Sequence, residues 1–241
     1  MIRSIFKMMW KRRKSNRLML AEMLISFVLL FALSSTVMKI LDNRRIPLGF
    51  EYKNVWVLFM DASQDQGLNE NIDTAVNRDM INLLVKNIKT MPEVVTVTAN
   101  QYNIPYSGMY RSDVKNGDRI CRNVVYAATD ASYPDVMGLR MQEGRWFNSG
   151  DAGQKEIPVV INSSLKEALF GKEPAINQKI QSGLYKVTGV VQYFKINGEY
   201  AENTPAFFMM MKPEEMPSQL IIKTTPEAGE SFRIEIGRAH V

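Results

Sequence analysis

From Leu18 to Met38 the chain reads LMLAEMLISFVLLFALSSTVM, 21 residues in which Glu22 is the only charge and no polar face repeats at helical spacing. At 1.5 Å per helical residue the stretch is about 30 Å long, the thickness of a bilayer's hydrocarbon core. The pattern predicts one membrane-spanning helix, with Ser26, Ser34, Ser35 and Thr36 bonding back to carbonyls or toward a partner helix. No later run approaches that length, and the longest, from Pro205 to Met211, is strand-sized.

After the span, Pro47 and Gly49 break the helix and the apolar positions fall into short groups. Asn54 to Met60 predicts a buried strand. Ile72, Val76, Met80, Leu83, Leu84 and Ile88 repeat at helical spacing, Asn69 or Asn71 caps that helix, and Pro92 stops it. Val94 to Ala99 alternates as a strand, with Val95 and Val97 on one face. Residues 54–99 therefore read as a β-α-β unit, with a right-handed crossover if its strands are parallel in one sheet. Asn100 to Gly117, rich in Tyr, Asn, Gly and Ser, reads as an irregular loop or a small projecting lobe.

Further strands are predicted at Asn123–Thr129, Leu139–Glu143, Ile157–Ile161, Lys179–Ile180, Tyr185–Tyr193, Ala206–Met211 and Leu220–Thr224. Asp130 and Ser132 are cap residues for a short helix with Pro134 in its first turn and Gly138 at its end, and Gly144 turns the chain. Ser164 and Glu167 are spaced as a capping box for a helix ending at Phe170 and Gly171. Strands outnumber helices without any repeat, so the fold class is α+β: one N-terminal transmembrane helix and then a mixed α/β extracytoplasmic domain.

Charge supplies the orientation. The first 17 residues carry seven Lys or Arg and no acid, and the remainder holds 23 basic and 25 acidic side chains, so the net +5 comes from the leader alone. Basic residues beside a span stay in the cytoplasm, which places the N-terminus inside and the large domain outside. Ile2, Ile5, Phe6 and Met9 fall on one helical stripe with Arg3, Lys7 and Lys11 off it, predicting an amphipathic helix on anionic lipid with Trp10 at headgroup depth. A cleaved signal peptide is the competing reading, since Ala32 and Ser34 are spaced like a cleavage site. The apolar stretch, however, exceeds the about 7–15 residues of a signal core. Nucleic acid is excluded as a partner because the basic residues flank a span instead of forming a face with stacking aromatics.

Three segments then combine: TDASYPDVMGLRMQEGRWF from Thr129, IPVVINSSLKEALFG from Ile157 and YKVTGVVQYFK from Tyr185. Their order resembles the periplasmic core domain of MacB-type ABC transporter permeases, and the basic leader, span and β-α-β unit are similar to the start of those proteins. The resemblance implies an inner-membrane permease subunit with four spans and its large domain between the first and second. It also implies dimerisation, as a homodimer or heterodimer, beside a cytoplasmic ABC ATPase, and a transport cycle with no active site in this domain. The domains expected are a cytoplasmic basic amphipathic helix at 1–17, the span at 18–40, a C-terminally truncated periplasmic core domain at 46–234 and a non-native tail at 235–241. That tail, EIGRAHV, resembles a translated sequencing adapter.

Chemical motifs argue in the same direction. His240 and Cys121 are the sole histidine and cysteine, which excludes a Cys/His zinc cluster and an intrachain disulfide. Gly171-Lys172 lacks the rest of a P-loop, and Ser163 and Ser164 lack a nucleophile elbow. No catalytic, cofactor-binding or metal residue is expected. Asp130 reads as a cap, Gly138 and Gly144 as positive-φ positions, Arg145 as a surface or turn partner and Asn162 as a helix-start group. A single-pass sensor or partner-binding module is the alternative function, and an anchored hydrolase a distant third.

Overall fold

The computed structural model describes residues 13–60, 74–212, 215–229 and 232. The amphipathic leader, the caps at Asn69 or Asn71 and the tail at 235–241 lie outside these residues. The chain divides into two units, one ending at Ile46 and one beginning at Pro47.

The first unit contains helix α1, Arg13–Arg45, longer at both ends than the apolar core that predicts it. Its segment Arg17–Arg45 is the one helix among the described residues long and apolar enough to cross a membrane. Phe27, Leu29 and Leu33 are 69%, 58% and 63% exposed, an all-round apolar surface that water does not tolerate and lipid does. Thr36 Oγ1 donates to the carbonyl of Ala32 at 2.8 Å, the back-bonding that keeps a hydroxyl satisfied in hydrocarbon.

The second unit is a mixed sheet with helices on both faces. Its strands are β1 (Val55–Phe59), β2 (Val94–Tyr102), β3 (Arg111–Asn116), β4 (Arg119–Thr129), β5 (Met141–Gly144), β6 (Ile157–Asn162), β7 (Lys179–Ile180), β8 (Tyr185–Val191), β9 (Ala206–Met210) and β10 (Gln219–Thr224). Helix α2 is Thr74–Lys89, α3 Tyr133–Met137 and α4 Ser163–Phe170. The order is β1-β10-β2-β4-β9-β6-β8-β5, with β3 beside β4 and β7 beside β8. The β-α-β unit forms, but β10 lies between its strands and runs antiparallel to both.

Alternation places successive residues of the central strands in different cores. Val124 of β4, Ile161 of β6 and Phe207 of β9 pack under α4 with Leu165 and Leu169. Their neighbours Val125, Val160 and Phe208 enter the opposite core with Tyr133, Val136 and Phe147. A third core joins Ile88 of α2 to Val97, Leu220 and Ile222, with Phe232 beside Trp56.

Several expectations need correction. Asn100–Gly117 is not simply a loop: β2 runs on to Tyr102, and Arg111–Asn116 pairs with β4, whose start moves back to Arg119. Strand β3 is polar because only Val114 of its side chains is buried, so it carries no apolar alternation. Met80 and Leu83 of α2 are exposed, whereas Ile88 and Leu84 pack inward. Val95 is exposed at the start of β2, where Val97 is 2% exposed. Ser164 and Glu167 form no capping box. The N-cap of α4 is Asn162, whose Oδ1 accepts from Leu165 N at 3.0 Å, while Ser164 donates to the carbonyl of Asn203. A capping box does occur at the 3-10 turn Ser149–Asp151, between Asn148 and Asp151.

Candidate functional site

The first and third motif segments meet the stretch through which the chain enters the domain, Pro47 to Glu51. Its backbone is held at two points: Glu51 N donates to the carbonyl of Met137 at 2.8 Å, and Lys195 N donates to that of Leu48 at 2.9 Å. Phe50 is buried with its ring 5.5 Å from Phe194 and edge-on to Tyr106 at 6.0 Å. Gly49 has φ +83°, and a β-carbon there would lie 2.1 Å from the Tyr193 carbonyl oxygen, so only glycine permits this approach. The Glu51 carboxylate meets Lys223 Nζ at 2.6 Å, and that ammonium holds its pKa below the usual carboxylate range. Gly138, the αL cap of α3, leaves room for the same side chain: a β-carbon would sit 2.7 Å from Glu51 Cδ. Between connector and domain lies a cleft of about 370 Å³, bordered by Arg140, Gln192 and Tyr193.

Three polar knots stiffen the motif segments of the domain. Ser132 is the N-cap of α3 but its side chain makes no cap bond, and Asp130, expected as a cap, lies two residues before it. Its carboxylate accepts from Ser132 N at 2.8 Å, Thr98 Oγ1 at 2.6 Å and Ala99 N at 2.9 Å, tying α3 to β2. The Asp130 carbonyl accepts from Trp146 Nε1 at 3.2 Å, and Trp146 lies 6.0 Å from Tyr133 in a stacked arrangement. The Tyr133 hydroxyl is buried without a partner, and burial pushes its pKa up.

Arg145 is the turn partner its motif suggests, gripping Asp151 through two bonds of 2.6 and 2.7 Å. Asp151 also accepts from Asn148 N at 2.9 Å. These donors, Arg145 first, hold its carboxyl down from the usual 3.8 to about 2.

Asn162 is fully buried, and its Oδ1 accepts from Ala206 N at 3.0 Å as well as from Leu165 N. Its Nδ2 donates to the Thr204 carbonyl at 2.8 Å, and Asn203 links Ser164 to Phe194 N. The loop from Gln192 to Thr204 is thereby pinned to the start of α4. Within it Lys195 is buried and donates its Nζ to the Glu199 carbonyl; burial lowers the pKa of this ammonium and the Glu199 charge opposes the shift.

These groups are consumed in holding structure. Ser163 and Ser164 donate to carbonyls instead of facing a base, and Arg145 is occupied by Asp151. Among the described residues no three His, Cys, Asp or Glu gather in a way that would hold a metal ion. Cys121 is a buried free thiol within β4, its pKa raised by burial. Sequence reasoning identified Gly138, Gly144, Arg145 and Asn162, but it read Pro47 and Gly49 only as helix breakers. The docking of Gly49 on Tyr193 and of Glu51 on Lys223 left no local signal.

Among the described residues the chain thus has one helix long and apolar enough to cross a membrane, followed by a mixed-sheet domain whose first residues, Pro47–Glu51, are held by α3, by the loop at Lys195 and by β10. The sequence matches the MacB-like periplasmic core domain family over residues 23–232, and the chain belongs to that family. The fold is similar to that of the periplasmic region of MacB from Actinobacillus actinomycetemcomitans, with TM-score 0.51 and 16% identity over 82% of this chain and 85% of that one. It is also similar to the extracellular domain of the noncanonic ABC-type transporter YknZ from Gram-positive bacteria, with TM-score 0.52 and 16% identity over 77% of this chain and 91% of that one. No curated protein matches the chain.

Proposed function

We propose that this chain is the anchor and periplasmic domain of an ABC transporter permease subunit, and that it relays movement of its span to the domain for export or mechanical signalling without catalysing a reaction. The observation that carries this reading is the connector. At the start of the domain, Pro47–Glu51 is held by backbone bonds, a buried Phe and a glycine-dependent close approach. A coupling free energy between two sites needs such a contiguous element. In this reading the N-terminus is cytoplasmic, the partners are a cytoplasmic ATPase, a second permease subunit and membrane lipid, and the cargo is not defined by any residue of the domain. Reconstitution with the cognate ATPase tests it. A permease containing this chain should alter ATP turnover, whereas the same permease with Gly49→Ala should alter it less. Equal stimulation by both, or by neither, contradicts the proposal.

A further inference from the structure

Strands β7 and β8 bring two lysines together. Lys179 and Lys186 are register partners across that antiparallel pair, and like charges placed directly opposite destabilise a sheet. Lys179 is relieved by Glu156, whose Oε1 accepts from its Nζ at 2.6 Å. Lys186 is partly buried, and its ammonium makes no hydrogen bond or ion pair among the described residues. It borders a cavity of about 230 Å³ instead. Backbone bonds set the other walls. Arg145 N donates to the Thr188 carbonyl at 3.0 Å, which lays the end of β5 against β8, and Asn177 N donates to the Val187 carbonyl at 2.8 Å, which brings in the loop before β7. Asp151 and Gln154, in and after the 3-10 turn, join the lining.

The cavity is short of negative charge. Asp151 is the one carboxylate in its lining, and its two oxygens already accept twice from Arg145, once from Asn148 N and once from Gln154 Nε2 at 3.3 Å. Thr188 spends its hydroxyl proton on the Val159 carbonyl at 3.2 Å. The donors left for a guest are the Lys186 ammonium, the Asn177 amide and the second N–H of Gln154. In and around the cavity Arg145, Lys155, Lys179 and Lys186 stand against Asp151 and Glu156, an excess of two positive charges. The excess is local, because the chain after residue 17 holds more acids than bases. Uncompensated cations around a hollow with low-dielectric walls concentrate anions there.

We propose that this cavity binds a phosphate group, with the Lys186 ammonium as its chief ligand and Asn177 and Gln154 as further donors. A doubly charged oxyanion matches the excess of two, which a single carboxylate would half fill, and its contact with an ammonium is a charge-assisted hydrogen bond. The same ion removes the penalty of placing Lys186 opposite Lys179. A volume of about 230 Å³ is below the roughly 300 Å³ at which whole drug-sized ligands are held, so the guest is small or only its head enters. The site is independent of the transport reading: phosphate binding can succeed where coupling to an ATPase fails, and the reverse.

The test follows the amide resonances of the whole 241-residue chain in zwitterionic lipid nanodiscs as inorganic phosphate is added at constant ionic strength. The Asn177, Val187 and Thr188 amides should shift and saturate. Lys186→Gln should weaken binding roughly tenfold or more, and Lys186→Arg should restore it. Phosphate should raise the Tm of the native chain and not that of Lys186→Gln. In phosphate-free buffer Lys186→Gln should melt no lower than the native chain, since it loses only a like-charged neighbour. A parallel arm replaces phosphate by phosphatidic acid in the nanodisc. Shifts of the same amides there assign the phosphate to a lipid headgroup, and shifts with inorganic phosphate alone assign it to a solute. Absence of saturable shifts in both arms, or equal shifts in Lys186→Gln, overturns the proposal. So does a phosphate-free Tm well below the native one, which would make Lys186 a structural residue.

Discussion

Replacing Gly49 by alanine puts the connector itself under test. The backbone there has φ +83°, a region in which a β-carbon costs about 1–2 kcal/mol. The added carbon would also lie 2.1 Å from the Tyr193 oxygen and 2.4 Å from its carbonyl carbon, both backbone atoms that no rotamer change moves. Forcing such a contact costs about 1–3 kcal/mol more, for a total of about 2–5 kcal/mol. For a domain of this size that lowers Tm by about 4–20 °C. Gly153→Ala is the matched control, because Gly153 has φ +78° but nothing within 4 Å of where a β-carbon would lie, leaving only the conformational cost of about 1–2 kcal/mol. Urea and thermal melts of the two variants, followed by near-UV circular dichroism, give the comparison. Amide exchange adds the local readout: Glu51 and Lys195, whose N–H groups hold the connector, should lose protection in Gly49→Ala and keep it in Gly153→Ala. Equal effects of the two substitutions would refute the argument that the connector is locked by close approach.

Other perturbations probe the polar knots. The Asp151 carboxyl is held near 2 when folded against 3.8 ordinarily, so its contribution to stability is present above pH 3.8 and is lost as pH falls toward 2. Arg145→Gln should raise the Asp151 pKa in a carbon-detected NMR titration and move acid unfolding to higher pH. Asn162→Ala removes a helix cap and strands the Ala206 N–H, costing about 2–4 kcal/mol in urea unfolding. Tyr133→Phe deletes a buried hydroxyl that has no partner, so the melting temperature should hold or rise, with a gain of about 0–2 kcal/mol.

Local patterns carried much of the fold into view. The span, the α2 periodicity at Leu84 and Ile88, the Pro134 and Gly138 limits of α3, and the run IPVVI of β6 each announce themselves through spacing or turn chemistry. What stayed hidden was non-local or polar. Insertion of β10 between β1 and β2 is a pairing decision between segments far apart in sequence, and neither strand differs in composition from one that would pair directly. Strand β3 is an exposed ladder whose only deep side chain is Val114. Asn162 ends β6 and caps α4 at once, and that double role made Ser164 look like the better cap. At the candidate site the grip on the connector consists mainly of backbone groups and absent β-carbons, which leave almost no trace in residue type.

The central claim is that an N-terminal span with its basic end in the cytoplasm carries this domain outside the membrane. Ser149 is exposed in the 3-10 turn after Asn148, while the native thiol of Cys121 is buried. In intact cells carrying Ser149→Cys in a Cys121→Ser background, an impermeant maleimide should label the protein from outside, to the same extent before and after lysis. Labelling that appears only after lysis would contradict the account.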